Sequence, residues 1–182
     1  MTSQIVPQVP TTTRIEVTVT KADISSLDRF WPEIREGLLS IKSKSEASSF
    51  STIPMGHWQP GHVRAAVIGG FSGDIRQGAE LWIGLTPSTE LAGFSVTNLN
   101  FEPFLNIPYA MFVWVAYATP KIRSNVVFAM DRHLTEVARG RGLEYLEAMT
   151  KRVALPRRLA PLGWQQHLLV IRKPLWNTPD MG

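Results

Sequence analysis

Few of the residue types that perform chemistry stand at informative spacings in this chain. It contains no cysteine, which excludes disulfides, thiolate nucleophiles and cysteine-based zinc sites. The four histidines, at positions 57, 62, 133 and 167, show no spacing that would gather metal ligands on one face. We therefore expect no metal chemistry.

Two glycine-containing motifs come close to known catalytic loops without matching them. Gly70-Phe71-Ser72-Gly73 lacks the second spacing of the G-x-S-x-G nucleophile elbow and follows no predicted strand, so it indicates a turn. Gly140-Arg141-Gly142 follows a predicted helix rather than a strand, which is the wrong context for a dinucleotide-binding loop. Neither motif predicts an active site.

Charge is unevenly distributed along the chain. Residues 1–120 carry 8 basic and 10 acidic side chains, whereas residues 121–182 carry 11 basic and 5 acidic, a net charge of +6. Such an excess is typical of a solvated face, of contact with an anionic cofactor or partner, or of a nucleic-acid-binding surface. Four of the basic residues bracket a predicted short helix: Lys151, Arg152, Arg157 and Arg158.

The composition is that of a globular protein of ordinary size. With 182 residues, 44% hydrophobic and 19% charged, the chain fits one domain with a sizeable core. No run approaches the roughly 18 apolar residues that span a bilayer. The N-terminus has neither the basic nor the apolar region of a secretion signal. We therefore expect a cytoplasmic protein without membrane contact.

The elements that would position these side chains are clearest in the C-terminal half. Ala110–Ala118 is uncharged and followed by Pro120, which predicts a buried strand. Lys121–Ala138 places apolar side chains at three- and four-residue steps, and predicts an amphipathic helix that glycines end. The pattern continues with a strand at Leu143–Thr150, a short helix at Ala154–Leu162, a turn at Gly163–Trp164 and a strand at His167–Leu175.

The N-terminal half predicts a strand, two helices and a hairpin. Period-two alternation predicts a strand at Arg14–Thr20, and Ser25 with Asp28 predicts a capping box at the start of a helix. The helix is expected at Ser26–Ile41, followed by a loop at Lys42–Thr52, a second helix within Gly56–Gly70, and a hairpin of Glu80–Leu85 with Leu91–Asn98.

In this order of elements, and in the turn Leu162-Gly163-Trp164 before a final apolar strand, the chain resembles the GNAT superfamily of N-acyltransferases. It is most similar to members carried by tailed bacteriophages. The resemblance implies an α/β fold, a single GNAT-like domain with a mixed central sheet flanked by helices. This domain would span residues 14–175, between a flexible N-terminal arm (residues 1–13) and a C-terminal tail (residues 176–182).

The resemblance also implies a site for acetyl-CoA or CoA. Family members bind the cofactor pyrophosphate in a turn of the form R-G-x-G-x-G/A at a helix N-terminus, where N–H groups and the helix dipole favour anions. The turn corresponds to residues 123–128, and Val126 and Phe128 stand where the family has small residues, so we expect weaker pyrophosphate binding. The expected cofactor-binding residues are Lys121, Arg123, Ser124, Asn125 and, through its backbone N–H, Val126.

The resemblance suggests catalytic residues as well. The tyrosine that many family members use to protonate the departing thiolate corresponds to Leu159, which cannot donate a proton. Tyr145 is the expected replacement, with Tyr117 as an alternative. Glu102 is the first candidate for the general base, because it is expected to line the acceptor side. The other carboxylates considered for this role are Glu80, Glu144 and Glu147.

These departures from the family pattern favour a GNAT fold that has lost its chemistry. The protein would be a non-catalytic accessory or virion-associated binding protein of a phage, in the host cytoplasm or the virion. Its N-terminal arm would contact protein partners in an assembly. An alternative is a divergent acetyl-CoA-dependent N-acetyltransferase. A third interpretation is a DNA-binding or DNA-modifying protein that uses the basic C-terminal third. Whether the protein is an enzyme stays open at this level.

Overall fold

The structure is a computed structural model that describes residues 15–46, 58–73, 78–102, 104–148, 157 and 159–165. The chain divides into two compact units, Met1–Met149 and Thr150–Gly182. The elements of the first unit are β1 (Thr18–Lys21), α1 (Ile24–Glu46), α2 (Pro60–Phe71), β2 (Glu80–Leu85), β3 (Leu91–Phe101), β4 (Pro108–Ala118), a 3-10 turn (Pro120–Ile122), α3 (Arg123–Gly140) and β5 (Tyr145–Ala148).

The second unit is described only in part. It contains a 3-10 turn at Ala160–Leu162, which is the end of the predicted short helix, and Gly163 follows it with a φ of 86°. The predicted strand His167–Leu175 and three residues of the basic cluster, Lys151, Arg152 and Arg158, lie outside the described residues. Of the helices in the described part of the chain, none is long and apolar enough to cross a membrane.

The five strands form one mixed sheet in the order β1-β2-β3-β4-β5. Neighbouring strands are antiparallel except β4 and β5, which run parallel. A parallel pair needs a crossover connection, and α3 with its flanking turns supplies it. The predicted α/β class with a mixed sheet flanked by helices is therefore confirmed, as are the hairpin and the long apolar strand.

The first helix differs from its prediction at both ends. It begins at Ile24, so Ser25 lies inside it, and the predicted capping box of Ser25 with Asp28 is wrong. Asp23 caps the helix instead, because its Oδ1 accepts the Ser26 N–H at 2.7 Å; this hydrogen bond lowers the pKa of Asp23. The helix also continues to Glu46, through residues 42–46 that were predicted as loop. These residues include no Gly or Pro, and Lys and Glu are good helix formers.

Two layers of helix cover the sheet. On one face α1 and α2 bury a cluster that includes Leu27, Ile34 and Phe94, and on the other α3 buries Met130 and Leu134. Both faces of the middle strands are therefore apolar, which explains why β4 is a nearly continuous hydrophobic run. The turn predicted at Gly70–Gly73 is confirmed: α2 ends there, and Gly73 has a φ of 86°.

Three register shifts interrupt the pairing of β2, β3 and β4, and two of them lie where they change which side chains face which layer. Gly84 pairs with Gly93 and Leu85 with Leu91, so Ala92 is an extra residue on β3. Val96 pairs with Val115 and Thr97 with Val113, so Trp114 is an extra residue on β4. Each bulge reverses the alternation along its strand. As a result Met111 faces α3, whereas Val115 faces α1 and α2.

Candidate functional site

The parallel strands β4 and β5 are paired over only part of their length. Residues Ala110–Val113 of β4 pair with Tyr145–Ala148 of β5. Beyond this point the described residues give β4 no strand partner on the β5 side, from Trp114 to Ala118. Unpaired backbone N–H and C=O groups at a sheet edge are ready to bind an extended chain that can hydrogen-bond to them.

The bulge at Trp114 lies at the start of this open edge. Its neighbour Val113 is the last residue of β4 that pairs with β5, and Trp114 itself has no partner on β3. A bulged residue is left unpaired and the strand bends there, which is why bulges are common beside active sites. The bulge and the end of β5 pairing therefore coincide at one point of β4.

Downstream, the open edge leads to the N-terminus of α3. The helix begins at Arg123 directly after the 3-10 turn, and Ser124 and Asn125 stand in its first turn, where backbone N–H groups have no α-helical carbonyl partner. No acidic residue occupies this turn, and the N-cap residue Ile122 offers no side-chain hydrogen bond to it, while Lys121 and Arg123 are exposed. These groups and the helix dipole favour an anion at this position.

The two bulky residues of this segment point in different directions. Val126 is 2% exposed and packs against β1 and β3, so its side chain does not cover the outer surface of the helix. The burial of this side chain leaves the outer face of the first turn clear of it; the weaker pyrophosphate binding expected from the sequence stays a prediction. Phe128 is 48% exposed. It lies one turn after Ser124 on the same side of α3, and helical side chains lean towards the N-terminus, so we expect its ring to flank the first turn.

Asn125 has a second, structural role. Its Nδ2 donates to the Ile15 carbonyl oxygen at 2.8 Å, which ties the first turn of α3 to the segment before β1. The side chain is thus engaged within the fold, and its backbone N–H is what it can offer an anion.

The predicted catalytic residues lie near the other end of β4. Tyr145 pairs with Ala110, four residues from the Trp114 bulge and about 13 Å from it along the strand. Glu102 lies in the turn between β3 and β4, where its Oε2 accepts the N–H groups of Phe104 at 2.8 Å and Leu105 at 2.6 Å. Glu102 therefore holds this turn together. The structure brings Tyr145 and Glu102 to the same end of the sheet, away from Lys121 and Arg123.

Tyr117, the alternative tyrosine, lies at the opposite end of β4. Its ring stacks on Phe94 with centroids 5.5 Å apart. It borders a cleft of about 410 Å³ between α1 and the ends of β3 and β4, which Glu33 and Glu36 also line. Leu159 belongs to the second unit and precedes its 3-10 turn.

Three solved structures illustrate what the fold is similar to. A ribosomal-protein-alanine N-acetyltransferase from Brucella melitensis is 17% identical, with a TM-score of 0.58 over 87% of this chain and 99% of that one. A Clostridium acetobutylicum protein described as an acetyltransferase, solved with acetyl-CoA, is 14% identical, with a TM-score of 0.61 over 87% and 96%. A Trypanosoma brucei acetyltransferase is 15% identical, with a TM-score of 0.56 over 88% and 100%. No protein-family model and no curated protein matches the chain.

The chain has the GNAT fold. The likeness extends over almost the whole of these proteins while their sequences have diverged to below one residue in five. At such identity the comparison establishes architecture, and the chemistry has to be argued from the residues of this chain. The GNAT fold predicted from the order of elements is thus confirmed.

The structure also draws attention to residues that the sequence patterns did not single out. Asn98 and Asn100 are two apart on β3, and Asn100 Nδ2 donates to Glu147 Oε2 on β5 at 2.8 Å. The signal in the sequence was the pair of polar side chains at period two within an otherwise apolar strand. It could be read as polar positions facing solvent until the pairing of β3, β4 and β5 was known.

Proposed function

We propose that this protein is an acyl-CoA-dependent N-acyltransferase. The observation that carries the proposal is the arrangement around β4: from a bulge onwards the described residues give this strand no partner on the β5 side, and the strand leads directly to a basic helix N-terminus. An acyl-CoA molecule combines an extended amide-containing chain with a pyrophosphate. The open edge suits the former and the helix N-terminus suits the latter.

The residues present fit this cofactor. Lys121, Arg123 and the backbone N–H groups of Ser124 and Asn125 would hold the pyrophosphate, and the edge from Trp114 to Ala118 would line the pantetheine chain. When bound, acetyl-CoA supplies the activated acyl group. Because the Val126 side chain is buried, glycine is not required at that position for an anion to approach the outer face of α3.

The proposal is tested by isothermal titration of the full chain with acetyl-CoA. We expect binding that weakens about tenfold in Arg123→Ala, because a charged hydrogen bond contributes roughly 1.5–3 kcal/mol. Arg132→Ala is the matched control, since it removes an exposed arginine further along the same helix. Failure of the parent to bind, or equal weakening by both variants, would count against the proposal. Release of the CoA thiol with a panel of amines then tests transfer.

A second candidate is a GNAT-fold binding protein without catalysis. Two features favour it: the resemblance places Leu159 where many family members have the tyrosine that acts as the acid, and Phe128 is exposed one turn after Ser124 on α3. If the parent binds no acetyl-CoA but Phe128→Ala does, the ring blocks the site and this candidate is favoured. Phage origin, the contact of the N-terminal arm with partners, and nucleic-acid binding stay predictions from the sequence.

A further inference from the structure

The turn between β3 and β4 exposes large apolar side chains. Phe104 is 93% exposed, Leu105 70% and Ile107 56%. Single apolar residues on a protein surface are ordinary, but three of them within four positions of one turn form a contiguous patch. A patch of this kind marks contact with a partner or with a membrane.

Hydrogen bonds within the turn hold its backbone in place. Glu102 Oε2 accepts the N–H groups of Phe104 at 2.8 Å and Leu105 at 2.6 Å, and the Glu102 carbonyl oxygen accepts the Asn106 N–H at 2.9 Å. The Glu102 N–H donates to the Ile107 carbonyl oxygen, also at 2.9 Å. Three consecutive backbone donors therefore have acceptors inside the turn, so they do not need water when the patch is covered.

The charges around the patch are acidic. Residues 104–108 are Phe, Leu, Asn, Ile and Pro, none of which carries a charge. The charged residues that hydrogen bonds tie to this segment are Glu102, within the turn, and Glu144, whose N–H donates to the Tyr109 carbonyl oxygen at 2.8 Å. The turn thus offers apolar side chains and no cation, which suits an uncharged apolar surface better than an anionic one.

The size of the patch limits what can cover it. The three exposed fractions together amount to about two large side chains, or roughly 300–500 Å². A stable interface between two folded chains needs about 800 Å² on each side, so this patch is too small to hold a second copy of the chain by itself. A bilayer needs no matching surface, since a few apolar side chains enter its interfacial region to a depth of about 5–10 Å.

We propose that the β3–β4 turn inserts Phe104, Leu105 and Ile107 into the interfacial region of a lipid bilayer with zwitterionic headgroups. The contact is peripheral and reversible. The expectation of no membrane contact rested on spanning segments and secretion signals, which a peripheral contact does not need. The proposal is independent of the proposed function. Because β4 has 11 residues, α3 begins beyond its other end, about 33 Å from the turn, and the proposed cofactor site lies far from the inserted side chains.

The experiment is flotation of the full chain with phosphatidylcholine vesicles, and in parallel with vesicles that also contain phosphatidylglycerol. We expect the parent to bind phosphatidylcholine alone with an association constant of roughly 10⁴ M⁻¹, the strength that one myristoyl chain provides. Absence of binding to phosphatidylcholine would overturn the proposal. Binding only in the presence of phosphatidylglycerol would also overturn it, because the contact would then depend on basic residues elsewhere in the chain.

Two matched variants test whether the turn makes the contact. Phe104→Ser should weaken vesicle binding at least tenfold, because burial of a phenylalanine side chain is worth that factor or more, and its 93% exposure leaves little packing to lose. Phe128→Ser removes another exposed phenylalanine, on α3, and should leave binding unchanged. Unchanged binding by Phe104→Ser, or equal loss in both variants, would contradict the proposal.

A fluorescent label locates the inserted residues directly. The chain contains no cysteine, so Leu105→Cys creates a single site for a nitrobenzoxadiazole dye, and Phe128→Cys creates the control site. Phosphatidylcholine vesicles should shift the emission at position 105 to shorter wavelength and increase it, and leave the emission at position 128 unchanged. No change at position 105, or the same change at both positions, would overturn the proposal and favour a protein pocket as the cover of this turn.

Discussion

Gly93 is the position at which the fold and the proposed cofactor site depend on one another. A methyl group added to Gly93 would lie 2.4 Å from the Tyr117 carbonyl oxygen and 2.7 Å from Val126 Cγ1. The first neighbour is backbone of the paired strand β4, and the second is the side chain that seats the start of α3 on the sheet. Gly93→Ala should therefore push both β4 and α3 away from β3.

The magnitude follows from these contacts. The Tyr117 carbonyl oxygen would have to move by about 0.6 Å to lie 3.0 Å from the added methyl carbon, which is the shortest separation that real Cβ atoms show. Overpacking of this kind costs roughly 1–3 kcal/mol, and because one neighbour is backbone we expect a loss near 3 kcal/mol in the free energy of unfolding. Urea denaturation followed by tryptophan fluorescence measures it.

A double-mutant cycle with Val126→Ala tests the mechanism. Val126→Ala alone should cost about 2 kcal/mol, from lost burial and the cavity that remains. In the double variant the added methyl occupies part of that cavity, so the total should be about 1 kcal/mol less than the sum of the single effects. The Tyr117 contact remains, so full recovery is not expected.

The control is Gly61→Ala, since no atom lies within 4 Å of the added methyl there. It should leave stability unchanged or raise it by up to about 1 kcal/mol, because alanine favours helix. An unfolding free energy of Gly93→Ala within about 0.5 kcal/mol of the parent, the range of ordinary surface substitutions, would refute the reasoning. So would strict additivity in the double variant.

Three further predictions concern single sites. Asn98→Leu should raise the free energy of unfolding by about 1 kcal/mol, because it removes the unpaired Oδ1; a fall in the urea midpoint would contradict this. Thr97→Val should lower the free energy of unfolding by about 1–3 kcal/mol, since the buried Trp82 Nε1–H loses its acceptor, the Thr97 hydroxyl at 2.9 Å. Thr97→Ser keeps the hydroxyl, so its loss of stability should be smaller. Burial alone would raise the pKa of Glu80, but hydrogen bonds from Arg141 and Lys21 outweigh it and hold the pKa below the ordinary 4.5. A carboxyl whose pKa is lower in the folded state stabilises the protein at pH values above its unfolded-state pKa, and this stabilisation is lost as the pH falls through its folded-state pKa. Unfolding experiments at pH 7 and below pH 4.5 should therefore show that Glu80→Gln loses most stability at pH 7. A gap between parent and variant that widens in acid would contradict this.

The sequence alone determined the order and type of the elements in the first unit. Apolar positions at three- and four-residue steps predicted α3, and the uncharged run predicted β4, because burial on one or both faces leaves a periodic record in the chain. Helix ends were less predictable. Asp23 and Ser25 are both capping residues, and only the path of the chain into α1 decides which of them accepts the first free N–H.

Tertiary structure decided which side chains face each other. An extra residue at Trp114 reverses the alternation of β4, and nothing in an apolar run marks where the pairing slips. Val126 could be recognised as bulky from the sequence, but its direction into the sheet depends on the space left by Gly93. For the same reason the contact of Asn100 with Glu147 could be recognised only through the pairing of β3, β4 and β5. These two residues are 47 positions apart, and a chain records the type of each residue but not the strand register that brings distant residues together.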